Sequence, residues 1–479
     1  MFRLTDTVKC YKRFLEKIIL IQDLHHHASR WTATIISMVQ VERRIETSQI
    51  LIRMKVVTLQ RTAISINGYC NRDDNNNKGD DDDAIIFEEE DELRLIFLGC
   101  EVSPPYGPCE HTAELFLDLI AAAASNCLRP NHQRRIVLDV FNVSPSQPNL
   151  DDDDDDDDEH ILEIQFPTEK DLNSTDGVIL PGSFSSANDE KKPWIVMLKD
   201  WIQTVLVARE IPTFGVCFGH QLYAHSFNHK QFGGGGRGGS AVTCPAGPQA
   251  GRRTTQLTIA GRAFWAASRK MKINHHGNIT RERNIFNNRN NSSSIDKDDA
   301  PELFQEPTIT TLDLFYTHGD MVESLPSRGV NLGGNDKVPI HAAVYFSTPL
   351  ADTEDILDVM LARDKDEDDT QTKGINSSNP RVIAVTFQAH PEFASLLSSS
   401  SSPKKGEKEM TIFSSKGNIT YRNILQLMKD NGDISEEDYQ NAEKDSIIDY
   451  DRIREQSVGT MISAGRLLNW FSSSSATAM

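Results

Sequence analysis

The chain has 479 residues, 38% of them hydrophobic and 25% charged, with a mean hydropathy of -0.44. That is enough apolar material for a sizeable core. No window holds 18 consecutive apolar residues, which argues against a membrane-spanning helix. The net charge of -20 sits almost entirely in two stretches: 73–92, with 11 acidic residues and one lysine, and 151–159, which reads DDDDDDDDE. Charges so crowded repel one another and read as solvated loops. The remainder is near neutral and has no basic stripe interleaved with aromatics, so nucleic-acid binding is not expected.

The seven cysteines are odd in number and form no CxxC pair. This favours a reducing compartment, the cytoplasm, and gives no zinc site. Residues 1–62 carry 11 Lys and Arg against 5 Asp and Glu. They read either as an organelle-targeting segment or as an ordinary helical extension.

Regular organisation begins near residue 93. Residues 93–98 (LRLIFL) read as a strand, 111–124 as a helix, and 135–141 as a β-branched strand. A third strand, 176–180, ends at Pro181-Gly182. Helical periodicity over 194–210 leads to a short strand at 213–216, and a helix begins around His220. A further strand covers 381–387, and 420–471 read as helical. Strands alternating with helices specify βαβ units and a largely parallel sheet. Ligands bind such sheets at the C-terminal ends of the strands. Residues 231–239, 282–300, 363–379 and 398–408 are compositionally biased and read, with 151–159, as inserted surface loops. The glycines of 231–239 follow a helix and lack dinucleotide-binding spacing.

The chemistry concentrates in two motifs. In Gly215-Val216-Cys217-Phe218-Gly219-His220-Gln221 a cysteine sits between two glycines, after a strand and before a helix. This is the logic of a nucleophile elbow, whose tight turn leaves no room for bulk two residues either side. The helix N-terminus favours a thiolate. For this motif alone, a buried structural cysteine between turn glycines is the alternative. The second motif, Gln388-Ala389-His390-Pro391-Glu392, lies 173 residues beyond Cys217, counted to His390. A histidine can take a thiol proton and return it to a leaving amine. Glu392 can hold its other ring nitrogen.

Together these motifs resemble the class I, triad-type glutamine amidotransferase superfamily, over about residues 93–471. The resemblance implies an α/β, flavodoxin-like three-layer sandwich with a mostly parallel central sheet. It leaves 1–92 as an extension and 472–479 as a flexible tail. It implies a triad of Cys217, His390 and Glu392, and an oxyanion site formed by the backbone N–H groups of Gly182 and Phe218. Gln221 aligns with a glutamine near the bound substrate. Tyr316-Thr317-His318-Gly319-Asp320 resembles a loop of the GMP-synthetase-like and plant γ-glutamyl-peptidase-like branches, which gives His318 and Asp320 a supporting role; on their own they read as turn residues. Gln249 stands where relatives carry a glutamate.

The implied reaction is cysteine-dependent hydrolysis of γ-glutamyl amides, in glutamine or γ-glutamyl peptides such as glutathione conjugates, through a thioester and with no metal or organic cofactor. Two alternatives stand beside it. One is an amidotransferase subunit that supplies ammonia to a separate synthetase. The other is a catalytically silent regulatory or binding protein.

Overall fold

Along residues 93–98 the large side chains alternate. Leu93, Leu95 and Phe97 enter one apolar cluster, Ile96 and Leu98 another, and all five are buried. A strand buried on both faces needs a covering layer on each side. The computed structural model, which describes residues 60–66, 91–127, 134–145, 164–228, 238–268, 271–273, 279–281, 309–350, 380–395 and 415–471, supplies both layers. These residues belong to one compact unit, 56–149 and 164–479; a second unit, 1–55 and 150–163, lies outside them.

The strands are β1 (Gln60–Ile66), β2 (Asp91–Gly99), β3 (Arg134–Asn142), β4 (Gly177–Leu180), β5 (Thr213–Val216), β6 (Ser240–Thr243), β7 (Gln249–Leu257), β8 (Met271–Ile273), β9 (Ile279–Arg281), β10 (Thr311–His318), β11 (Asp320–Ser324), β12 (Gly329–Gly334), β13 (Ala342–Phe346) and β14 (Val382–Phe387). A ten-stranded sheet runs β1-β3-β2-β4-β5-β14-β13-β12-β7-β10. Its centre, β3-β2-β4-β5-β14, is parallel throughout. Taken in chain order this is the 2-1-3-4-5 arrangement of flavodoxin-like sheets. Antiparallel strands extend it on both sides, so the whole sheet is mixed. β1, which pairs with β3, comes from within the segment read as an extension.

One face of the sheet is covered by α1 (Cys109–Cys127), α5 (Ile259–Ser268) and α8 (Tyr450–Leu467), through Phe116, Ile120, Phe264, Met461 and Leu467. The other is covered by α3 (Pro193–Trp201) and α4 (Phe218–His225), through Ile195, Leu198, Leu222 and Tyr223. The short α2 (Glu169–Asn173) precedes β4 behind a capping box made by Thr168 and Asp171. The helical reading of 194–210 resolves into α3 followed by a π-helical segment, Ile202–Val207, which keeps Ile202 and Leu206 in the core. The reading of 420–471 resolves into α6 (Lys416–Asp430), α7 (Glu436–Ile448) and α8. Gly432, at φ 76°, breaks the chain after α6, and Ser435 caps α7 by accepting from the Asp438 N–H at 3.1 Å.

Residues 151–159, 282–300, 363–379, 398–408 and 472–479, with all but the last two of 231–239, lie outside the described residues, as do 1–59 of the basic N-terminal stretch. No described helix is long and apolar enough to cross a membrane. The five described cysteines, Cys100, Cys109, Cys127, Cys217 and Cys244, are free thiols.

Trp470, fully buried beyond α8, closes the N-terminal end of the parallel strands. Its indole donates to the Asp176 carbonyl at 3.1 Å and its ring meets Phe214 edge-on at 6.5 Å. Its own carbonyl accepts from Arg134. Trp470→Ala is therefore expected to cost about 3–5 kcal/mol of stability, read as a lowered midpoint in urea. A loss below about 1 kcal/mol would contradict this packing role.

Candidate active site

The site grows from the tight crossing between β5 and α4. Cys217 adopts φ 50° and ψ -104°, a conformation that costs a residue with a Cβ on the order of 1–3 kcal/mol. The surrounding backbone holds it there. The Cys217 N–H donates to the Phe387 carbonyl at 2.7 Å, and Gly219 N–H to that of Pro181 at 3.1 Å. The two flanking glycines face each other: a Cβ on Gly215 would lie 2.8 Å from Thr386 Cγ2 and 3.2 Å from the Gly219 carbonyl carbon. A Cβ on Gly219 would overlap the Leu180 carbonyl oxygen. Phe218 opens α4, where a helix leaves its first N–H groups free of intrahelical partners.

β14 runs parallel to β5 with Phe387 opposite Val216, so His390 emerges beside Cys217. The His390 N–H donates to the Phe315 carbonyl at 2.8 Å, and the imidazole stacks on Phe393 at 4.5 Å. Imidazole Nδ1 donates to Glu392 Oε1 at 2.8 Å, with both side chains fully buried. This fixes the tautomer and leaves Nε2 without a well-formed hydrogen bond of its own. Burial opposes a charged imidazole there. The Cys217 sulfur and the Glu392 carboxylate outweigh it and push His390 up to about 10. The short turn that carries Glu392, Pro391–Ala394, is anchored from outside: Arg454 donates to the Ala394 carbonyl at 2.8 Å and Tyr450 to that of Ser395 at 2.7 Å.

Gly182 follows β4. A Cβ there would sit 2.6 Å from His390 Cε1 and 3.3 Å from the Tyr106 hydroxyl, so only glycine lets this loop lie against the imidazole. Two residues that sequence reasoning passed over shape the same corner. Glu101, just beyond β2, accepts from the Val102 and Ser103 N–H groups with one oxygen and from Ser183 Oγ and Phe184 N–H, each at 3.0 Å, with the other. It ties the loop after β2 to the loop carrying Gly182. Tyr106 is buried and packs against Phe184. Burial first, then the nearby Cys217, Glu101 and Glu392, raise its hydroxyl well above the usual phenol range, so it stays a phenol. Both residues follow the C-terminal end of a parallel strand, the one sequence signal that could have flagged them.

Gln221 is buried in α4 and donates to the Asp320 carbonyl at 2.8 Å. His318 Nδ1 donates to that same carbonyl at 2.8 Å. The Asp320 carboxylate accepts from Ser186 and Asn188, holding the β4–α3 loop. His220 spends both ring nitrogens on Thr386 and Ile340 and does not face the sulfur as a base. Gln249 turns back on its own loop, donating to the Gly247 carbonyl at 3.0 Å.

The family model "Glutamine amidotransferase class-I" matches residues 155–405, a little over half of the chain. Among solved structures, a glutamine amidotransferase from Thermotoga maritima is 14% identical, over 78% of this chain and 98% of its own, with a TM-score of 0.40. One from Methylobacillus flagellatus is 13% identical, over 82% and 99%, with a TM-score of 0.39. The glutaminase domain of Trypanosoma brucei CTPS, solved with bound acivicin, is 10% identical, over 69% and 93%, with a TM-score of 0.31. No curated protein matches the chain.

Gly219→Ala should destabilise the fold by roughly 1–3 kcal/mol through overpacking, with loss of Cys217 reactivity toward a thiol reagent; unchanged reactivity would contradict the elbow geometry. The histidines generate a pH prediction. Burial lowers His220 to about 4 and His318 and His341 to about 3, against roughly 6.5 when unfolded. Between those limits the unfolded chain binds more protons, so stability falls as pH drops. His390 has the opposite sign: its contribution is complete below about 6.5 and is lost as pH rises toward about 10. Thermal melts should therefore show Tm falling on acidification, with a shallower acid limb in His318→Asn, which keeps the donor to Asp320. An identical slope in that variant would refute the assignment.

Proposed function

We propose, for a chain that belongs to the class I glutamine amidotransferase family, that it hydrolyses γ-glutamyl amide bonds with Cys217 as nucleophile, His390 as acid–base and Glu392 as the group that orients His390. The observation that carries this reading is the buried His390–Glu392 pair, at 2.8 Å, emerging beside the strained Cys217 elbow. The Cys217 proton passes to His390 Nε2 and the thiolate attacks the carbonyl carbon of a γ-glutamyl amide. The oxyanion is received by the N–H groups of Gly182 and Phe218. His390 then protonates the departing nitrogen, which leaves as ammonia or an amine, and a γ-glutamyl thioester remains. Water gives a proton to His390 as it attacks the thioester; glutamate departs and the proton returns to sulfur.

In this reading residues 93–471 form the catalytic domain, with β1 as an added edge strand. Gln221, His318 and Asp320 brace the pocket wall through the shared Asp320 carbonyl. The buried free thiols support a reducing compartment such as the cytoplasm.

The test is product release from glutamine, glutathione and other γ-glutamyl peptides. Cys217→Ala should abolish turnover, and His390→Asn should lower it by roughly 10²–10⁴-fold. Preferential cleavage of peptides would define a peptidase. Preferential cleavage of glutamine, with ammonia release, would direct the search to an acceptor enzyme. Turnover that survives in Cys217→Ala would sink the proposal.

A further inference from the structure

One buried group beside the sulfur has no part in the reaction as described. Gln388 lies between β14 and His390 and is fully buried. Its N–H donates to the His341 carbonyl at 2.7 Å, which fixes the backbone. Its side-chain Nε2 lies 3.6 Å from Cys217 Sγ. A buried amide is costly unless its polar atoms are paired, and here one of its partners is the reacting atom.

Which end of that amide faces the sulfur follows from the hydrogen bonds behind it. The Asp320 carbonyl can only accept. The group 2.8 Å from it must therefore be the NH₂ of Gln221. The same NH₂ lies 3.3 Å from Gln388 Oε1, so the Gln388 oxygen points away from the cysteine and its NH₂ toward it. A backbone carbonyl on β11 thus orients two buried amides in series, ending in an N–H donor aimed at sulfur.

Unlike the His390 imidazole, whose Nε2 proton comes and goes, the Gln388 amide is a donor in every protonation state of the site. The Thr317 carbonyl, 3.8 Å away, accepts from the thiol. The His390 imidazole shuttles the proton and the Tyr106 phenol stands nearby, while Glu392 acts through His390. We propose that Gln388 is a further catalytic residue, which stabilises the Cys217 thiolate by donating a hydrogen bond from Nε2, and that Gln221 is the positioning residue that sets its orientation. A donor at that place supports the thiolate both before attack and when the thioester collapses.

This inference rests on the reading of Cys217 as nucleophile, but its test needs no substrate. The rate at which iodoacetamide alkylates Cys217 in the full chain is followed against pH, with the Cys217 peptide quantified by mass spectrometry and Tm recorded for each variant. Gln388→Met keeps the bulk and removes the donor. Its alkylation profile should move to higher pH, and the rate near neutrality should fall by roughly tenfold or more. Gln221→Met leaves Gln388 in place but frees its amide to turn, and should shift the profile the same way by a smaller factor. A merely structural Gln388 would lower Tm and leave the profile where it was, and that result overturns the proposal. Should Gln388→Met not fold, the Gln221→Met profile decides, an unmoved one being the overturning result. A displaced profile in a protein that cleaves no γ-glutamyl compound would uphold the hydrogen bond while removing the hydrolase reading.

Discussion

Everything at the candidate site depends on the contact between Gly215 and Gly219. The chain leaves β5, passes through Cys217 at positive φ and enters α4 within a few residues, and only two facing glycines allow so close a crossing. The strain at Cys217 is held by its hydrogen bond to Phe387 and by that of Gly219 to Pro181. Those bonds reach the neighbouring strands on either side, β14 and β4. The elbow is thus anchored to the two chain segments that deliver His390 and Gly182.

The layers divide the work. The N-terminal ends of the parallel strands are closed by Trp470 and Arg134, at the opposite end of the strands from Cys217. The C-terminal ends open into loops that are polar but tied down: Glu101 joins the loops after β2 and β4, and Asp320 holds the loop that leads to α3. Around His390 the support is aromatic. Phe393 stacks on the ring and Tyr421 of α6 packs against Phe393. An imidazole that takes on charge in so apolar a setting depends on its two partners, Glu392 and the sulfur, to offset its burial.

The parallel core was legible in the sequence because each of its strands is buried on both faces and reads as a short apolar run: 93–98, 135–141, 176–180, 213–216 and 381–387 match observed strands, with 176 and 381 lying one residue outside β4 and β14. The antiparallel side was not. β7 carries Arg252, Arg253 and Thr254 in its middle and is exposed enough to tolerate them, so its apolar signal is weak. β1 lies in a basic stretch whose pairing with β3 is a tertiary fact. The motifs around Cys217 and His390 were readable because a tight turn and an adjacent histidine–glutamate pair are local. Glu101, Tyr106 and the Gln221–Gln388 relay were not, since their roles arise only when separate strands bring them to one corner.

The pairing of β5 with β14 joins residues 213–216 to 384–387, the most distant partners among the parallel strands. Such non-local pairing comes late, after the loop-closure entropy of the whole intervening chain has been overcome. Cys217 is also synthesised 173 residues ahead of His390. Under the proposed mechanism, a chain caught part-way through synthesis or folding holds a thiol without its base, and the pairing of β14 with β5 is what brings the two together.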